Sequence, residues 1–193
     1  MALTTAQLQA LKADIAANTA TINGVQIKDM PNNSDANFDI AIWYNATASP
    51  DFIVWRDLPM EDVLNLIDFA KMTPADAVPT TPDLSVQVWN ARAMSCQSKQ
   101  FNLQNLTIGR STAPMKRANY RAGMQDCLTN IPAGASGATI AANWTGVRDA
   151  AKKKATRGEK VLATGAGTTA TPADLTFEGS LSYQDIAEAR NIA

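Results

Sequence analysis

The chain has 193 residues, of which 46% are hydrophobic and 18% are charged, a balance typical of a folded protein and not of a disordered one. Its formal net charge of −1 creates no overall field that would attract nucleic acid or an anionic membrane. The absence of histidine excludes Ser-His-Asp and Cys-His catalysis, and two cysteines cannot make the usual four-ligand zinc site. We therefore expect no enzymatic activity, no metal and no cofactor.

The start of the chain carries the pattern of a capped amphipathic helix. Thr4 and Gln7 have capping-box spacing, and the apolar residues that follow recur at helical spacing, which predicts a helix over residues 5–18. Residues 25–30 nearly alternate between apolar and polar side chains. This alternation predicts a short strand or extended arm that ends at Pro31.

Two helices are predicted on either side of a short apolar run. Asn33 or Ser34 can supply the N-cap of the first of them. The apolar run at residues 52–55 is too short to be classified by its period. Asp57 suits the N-cap of the next helix, with Pro59 in the first turn, where the missing N–H of proline leaves no hydrogen bond unmade.

A proline-rich connector at residues 74–82 precedes the longest predicted helix. Its three prolines stiffen the chain and stop helix propagation. The helix is predicted to begin at Pro82 and to run to about Asn105. One stripe of it has helical spacing and comprises Val86, Trp89, Ala93, Cys96, Gln100 and Leu103. The stripe predicts core packing, and a contact between subunits is the alternative because the helix is polar for a core element.

Two further helices are predicted before the basic segment of the chain. The first carries Cys127 on its apolar side, and Cys96 lies on the stripe of the preceding helix. Both cysteines are therefore predicted to be buried free thiols, since free cysteine packs as a small hydrophobic residue. The second helix begins near Ile140 and either ends at a glycine or continues through Lys152-Lys-Lys154.

The C-terminal segment is predicted to contain a helix, a loop, a small strand and a closing helix. The first of these helices carries Arg157, Glu159 and Lys160. The loop at residues 165–171 contains only glycine, alanine and threonine, and residues 175–177 have the composition of a short strand. Ser182 and Asp185 have the spacing of a capping box and start the closing helix.

Together these elements predict a mainly α fold. We expect a single-domain helical bundle over residues 1–193, with one or two short strands and extended arms or loops. Residues 165–193 are expected to form a C-terminal arm and helix. No apolar run approaches the roughly 20 residues that span a bilayer, and the N-terminus lacks the pattern of a signal peptide. We therefore expect assembly in a cytoplasm, without membrane contact.

Two groups of residues are candidates for contacts with other molecules. The basic group comprises Lys152, Lys153, Lys154, Arg157 and Lys160. It is either a solvated helix face or a surface for a phosphate backbone or an acidic neighbour, because phosphate contact needs only point charges. The apolar group, a candidate for subunit or partner contact, comprises Phe177, Leu181, Tyr183 and Ile186. No catalytic, cofactor-binding or metal-binding residues are expected.

Several segments of the chain resemble a group of small virion proteins of tailed bacteriophages. The resemblance covers the N-terminal helix, the motifs Ile42-Trp-Tyr-Asn45 and Phe52-Ile-Val-Trp-Arg56, and residues 155–191, with Phe177-Glu-Gly and Ser182-Tyr-Gln-Asp-Ile. Residues 58–151 carry little of it. The resemblance implies a structural role among the head and head–tail joining components, and it carries over no catalytic residues.

Within that role we expect a head–tail connector, also called an adaptor or neck protein. Such proteins are often helical and of similar size, and they form a ring under the portal. The expected partners are further copies of the chain, the portal and tail proteins, and packaged DNA through non-specific contact; the expected location is the virion. A tail terminator or completion protein and a capsid decoration protein are alternatives. A small non-metallic enzyme, a regulatory binding protein or a DNA-binding accessory protein are alternatives from other classes.

Overall fold

The computed structural model of the chain describes residues 2–80 and 84–192. These residues form eight α-helices, which confirms the predicted mainly α fold. In chain order the helices are α1 (Thr5–Ala17), α2 (Ser34–Asn45), α3 (Met60–Asn65), α4 (Leu84–Thr107), α5 (Ala118–Leu128), α6 (Trp144–Ala150), α7 (Arg157–Leu162) and α8 (Tyr183–Asn191). Short 3-10 turns lie at Ile27–Asp29, Phe69–Met72 and Ala135–Gly137.

The strands are two or three residues long. They are β1 (Thr21–Ile22), β2 (Val25–Gln26), β3 (Ile53–Trp55), β4 (Leu58–Pro59), β5 (Thr112–Ala113), β6 (Lys152–Lys154), β7 (Ala163–Thr164) and β8 (Asp174–Leu175). They pair antiparallel as β1–β2, β3–β6, β4–β5 and β7–β8. The strands predicted at residues 25–30 and 175–177 are therefore shorter than expected, and the first of them gives way to a 3-10 turn.

The contacts within the chain group it into two compact units, which the sequence did not indicate. The terminal unit comprises residues 2–55 and 152–192, and the middle unit comprises residues 56–151. The middle unit is inserted in the chain between β3 and β6, and these two strands pair with each other within the terminal unit. The expectation of a single domain stays a prediction.

The core of the terminal unit lies among α1, α2, α7 and α8. Leu11, Ile40 and Ile186 are fully buried there, and each side chain of this size contributes about 1.5–3 kcal/mol on burial. The cluster consists of residues from the terminal unit, between Leu3 and Ile192. The hydrophobic core of this unit is thus formed by its own two chain segments.

Side chains cap the helices of the terminal unit in the predicted way. Thr4 and Ser182 form capping boxes with the residues three positions later, and Asn33 caps α2 by accepting the N–H of Ala36. Thr156 forms a further capping box at the start of α7. Each cap satisfies backbone N–H groups that the first turn of a helix leaves without partners.

The expected C-terminal arm is part of the terminal unit and packs against its other elements. The loop at residues 165–171 is tied to β3, because the N–H of Ile53 donates to the carbonyl of Gly167 at 2.7 Å. Gly167 has a φ of +64°, and a Cβ there would lie only 2.1 Å from the Phe52 ring, so only glycine fits. At the other end, Arg190 of α8 donates to Asn37 Oδ1 at 2.8 Å and to the carbonyl of Pro31 at 3.0 Å.

The middle unit is organised around the packing of α4 against α5. The predicted stripe of α4 is confirmed: Cys96 and Leu103 are buried, and the other four members are half-buried. Its polar members bond within the unit, since Gln100 Nε2 donates to the carbonyl of Met72 at 2.8 Å and Trp89 Nε1 to that of Asp76 at 3.0 Å. Packing within the middle unit therefore accounts for this stripe.

Three predictions for the middle unit need correction or fall outside the described residues. Asp57 does not cap α3, which begins at Met60; its carboxylate instead accepts the N–H of Lys116 at 2.9 Å. The helix expected from Ile140 begins only at Trp144, because Ile140 forms a β-bridge with Ile131. The predicted helix start at Pro82 and the end of the proline-rich connector, residues 81–82, lie outside the described residues.

Candidate functional site

The lysine run of the basic group lies on a strand and not on a helix face. Lys152, Lys153 and Lys154 form β6, which pairs with β3. Strand geometry sends Lys153 to the face opposite its two neighbours. Lys153 Nζ lies 2.8 Å from Glu159 Oε1 and 3.0 Å from Glu178 Oε1. The helix face that the sequence suggested is therefore wrong for these three lysines, and the charge of the central one is paired within the chain.

The pair formed by Lys153 and Glu159 is largely buried. Glu159 is only 3% exposed, and its second carboxylate oxygen accepts the N–H of Thr156 at 3.0 Å in the capping box of α7. Burial disfavours the charge of Lys153, but the hydrogen bonds to Glu159 and Glu178 outweigh it and raise the pKa of Lys153. This lysine has a structural role and is not available to an external phosphate.

Lys154 also has an acidic neighbour. Its Nζ lies 2.7 Å from Asp51 Oδ2, and both side chains are more than half exposed. An exposed pair of this kind contributes little to stability and exchanges readily with solvent. Lys154 is therefore the surface-accessible member of the run, with its charge balanced nearby.

Arg157 and Lys160 lie three residues apart on α7 and line one cavity of the terminal unit. The cavity has a volume of about 450 Å³. The guanidinium of Arg157 lies over the Trp43 ring at 4.3 Å from its centre, and Nη1 donates to the Trp43 carbonyl at 3.1 Å. These two contacts fix the position of the guanidinium in the cavity wall.

A carboxylate lies on the lining of the same cavity. Asp14 Oδ2 accepts a hydrogen bond from the Tyr44 hydroxyl at 2.5 Å. Burial and this hydrogen bond to Asp14 raise the pKa of Tyr44, so the phenol stays neutral and donates. Asn18 Nδ2 lies 3.5 Å from the same carboxylate oxygen. The lining therefore carries two cations and one anion, a net charge of +1.

The apolar group predicted for partner contact is mostly part of the core. Leu181 and Ile186 are buried in the terminal unit, and Phe177 packs against the same cluster. Only Tyr183 is exposed, at 43%. The assignment of Leu181 and Ile186 to a partner surface is therefore corrected, because the side of α8 that carries Ile186 packs against α1 and α2.

An exposed apolar row on α4 was not predicted from the sequence. The row comprises Met94, Phe101 and Ile108, the last just beyond the helix end, and these side chains are between 62% and 69% exposed. Leu84 and Val88, 71% and 55% exposed, lie on another side of the helix near its start. The helix carries only two charged residues. Arg92 Nη1 donates to Asp76 Oδ1 at 2.9 Å, and Lys99 Nζ lies 3.5 Å from Asp126 Oδ1. The seven-residue spacing of Met94, Phe101 and Ile108 was the sequence pattern that could have indicated this row.

An apolar groove of about 440 Å³ lies beside α4 in the middle unit. Leu64, Phe69 and Met72 line it together with four residues of α4, which are Gln100, Leu103, Gln104 and Thr107. Leu64 and Phe69 are exposed to solvent. The exposed row on α4 and this groove are two different apolar surfaces of one unit.

The two cysteines are buried free thiols, as predicted. Burial raises the pKa of both Cys96 and Cys127. A thiol needs a lowered pKa to act as a nucleophile near neutral pH. Neither cysteine therefore has the environment of a reactive thiol.

Within residues 2–80 and 84–192, no group of three or more acidic, cysteine or histidine side chains could hold a metal ion. Across the same described ranges, no helix combines the length and apolar character needed to cross a bilayer.

Comparison with known proteins finds no matching family model, no similar curated protein and no similar solved structure.

Proposed function

We propose that this protein is a structural component of a tailed-phage particle. The more specific proposal is a head–tail connector, an adaptor or neck protein that forms a ring between portal and tail. The observation that carries the proposal is the location of the phage-like segments. The N-terminal helix, residues 155–191 and all of the Ile42–Arg56 region except Arg56 belong to the terminal unit, and Arg56 is the first residue of the middle unit. Residues 58–151, which carry little of the resemblance, belong to the middle unit.

The packing of these segments supports the interpretation of the resemblance as one folded body. They are far apart in sequence, yet α1, α2, α7 and α8 share one hydrophobic cluster. The motif residues take part in this packing: Asn45 Nδ2 donates to the carbonyl of Leu181 at 2.8 Å, and Asn45 Oδ1 accepts the N–H of Leu181 at 2.7 Å. The segments that carry the resemblance therefore form one packed body in the terminal unit.

Self-association is supported by the two apolar surfaces of the middle unit. A closed ring requires heterologous contacts, in which two different surfaces of each subunit fit together. We propose that the exposed row on α4 enters the apolar groove lined by Leu64 and Phe69 of the next copy. The α4 helix is about 36 Å long at 1.5 Å per residue. Its only two charges are paired within the protomer, so the row meets an apolar groove without burying a charge.

The proposed function is tested by counting this chain in purified virions of its source by quantitative mass spectrometry. The portal protein serves as the internal standard. A copy ratio near one is expected for a connector ring. A large excess would favour a decoration or tail-tube protein, and absence from the particle would contradict the structural role altogether. A soluble monomer with measurable catalysis would support the enzyme alternative.

A further inference from the structure

The cavity beside α7 combines fixed cations with polar side chains. Its lining includes Asp14, Asn18, Trp43, Ser49, Arg157 and Lys160. We propose that this cavity is a carboxylate-binding site that takes an aspartate or glutamate side chain of a partner protein. The proposal is independent of the proposed function, because it rests on the cavity alone.

Arg157 supplies the geometry for recognising a carboxylate. A guanidinium presents five N–H donors in a planar fork, which matches the two oxygens of a carboxylate. Within the described part of the chain, one hydrogen bond of this guanidinium is formed, from Nη1 to the Trp43 carbonyl. Stacking on the Trp43 ring holds the plane of the fork. Little side-chain entropy is therefore lost when a ligand binds.

Lys160 supplies a second positive charge to the lining of the same cavity, and it also lines a neighbouring cavity with Asp51 and Phe52. Its Nζ lies 5.8 Å from the centre of the Phe52 ring, and no acidic side chain lies within ion-pair distance of it among the described residues. Lys153 and Lys154, by contrast, are paired with carboxylates. The charges of Arg157 and Lys160 are thus the part of the basic group that an external anion can still use.

The charge balance favours a carboxylate over a nucleic-acid backbone. Asp14 lies on the lining with the two cations, which leaves a net charge of +1 for a single monoanionic group. A phosphate backbone brings a row of closely spaced charges and needs an extended basic surface. Lys153 and Lys154, which would extend this surface, are paired with carboxylates. A volume of about 450 Å³ also suits a small group that enters a concave site.

The test uses the full-length chain and two short probes, the peptides acetyl-Gly-Glu-Gly-amide and acetyl-Gly-Gln-Gly-amide. Amide chemical shifts are followed by NMR at low ionic strength. The glutamate peptide should shift the signals of residues around Trp43 and α7 with a dissociation constant on the order of millimolar, and the glutamine peptide should not. Arg157→Gln and Lys160→Gln should each weaken binding about tenfold or more, a loss of one charge-assisted contact.

Lys154→Gln is the matched control, because it removes one positive charge outside the cavity lining. It should leave the dissociation constant of the glutamate peptide unchanged within about twofold. If this variant weakened binding as much as Arg157→Gln does, the attraction would be non-specific. Lys160 is exposed, so its replacement does not threaten folding. Absence of binding by the glutamate peptide would overturn the proposal. Tighter, Arg157-dependent binding of inorganic phosphate or of a short DNA duplex would overturn it in favour of a phosphate site.

Discussion

Glu159 combines three tasks in one nearly buried carboxylate. It completes the capping box of α7, it pairs with Lys153, and its Oε1 lies 3.5 Å from the N–H of Gly179. Buried charges are tolerated when partners of this kind satisfy them. The carboxylate therefore joins β6, α7 and the segment before α8 in the terminal unit.

Glu159→Gln should destabilise the protein by about 1–3 kcal/mol, because the change leaves a buried lysine with a weaker partner. Lys153 retains Glu178, which limits the loss. The free energy of unfolding would be measured by urea titration with circular dichroism. The matched control is Glu178→Gln, which removes the more exposed carboxylate of the same lysine and should cost less than about 1 kcal/mol. Equal effects of the two changes would contradict the role assigned to Glu159.

The ion pair should also make stability depend on alkaline pH. The pKa of Lys153 is raised in the folded protein above the usual lysine value of 10.5, so the folded state binds this proton more tightly than the unfolded state. The stabilisation is complete below pH 10.5 and is lost as the pH rises through the folded pKa. The urea midpoint of the wild type should therefore fall towards that of Lys153→Met at high pH. A constant difference between the two would refute this linkage.

The helix α4 has one buried apolar face and one exposed apolar face. The stripe with Cys96 and Leu103 packs within the middle unit, and its pattern was predicted from the sequence because a core face has regular three-and-four spacing. The row with Met94 and Phe101 is exposed. Hydrophobic periodicity alone cannot distinguish a face that is buried within the chain from one that stays exposed, so the exposure of this row could not be predicted.

If the proposed contact between copies forms, Phe101→Glu should abolish it while leaving the protein folded. The side chain is 62% exposed, so a carboxylate is tolerated in the free protomer. Burying that charge unpaired in an apolar contact should weaken association by about 100-fold or more. Association would be measured by sedimentation over a range of concentrations, with circular dichroism as the check on folding. Gln184→Glu on α8 adds the same charge at an exposed site outside the middle unit and should associate as the wild type does. Unchanged association of Phe101→Glu would reject the proposed row.

Local signals explain which elements could be predicted from the sequence. The caps at Thr4, Asn33 and Ser182 depend on residues within three positions, so the helix starts were found. The strand β6 depends on pairing with β3, which is about a hundred residues away in sequence, and three lysines carry no local strand signal. Likewise the cavity of Arg157 is completed by Asp14 and Trp43, whose approach is set by tertiary packing.

At the scale of the whole molecule, the chain leaves the terminal unit through β3 and returns through β6. Trp55 and Lys152 are direct partners in this antiparallel ladder, so the entire middle unit is inserted between two neighbouring residues of one ladder. Insertions are tolerated where the ends of the inserted segment lie close together. The topology therefore makes the two units separable in principle.

Replacing residues 56–151 by Asn-Gly should yield a terminal unit that folds alone. The dipeptide favours the tight turn that joins two antiparallel strands, and Trp55 and Lys152 are already paired. The hydrophobic cluster of this unit consists of residues that remain in the shortened chain. Circular dichroism should show a helical spectrum and one cooperative thermal transition, and sedimentation should show a monomer, since α4 and its groove are gone. An unfolded product would mean that the two units form the single cooperative domain expected from the sequence, whereas a folded product that still self-associates would move the subunit contact to the terminal unit.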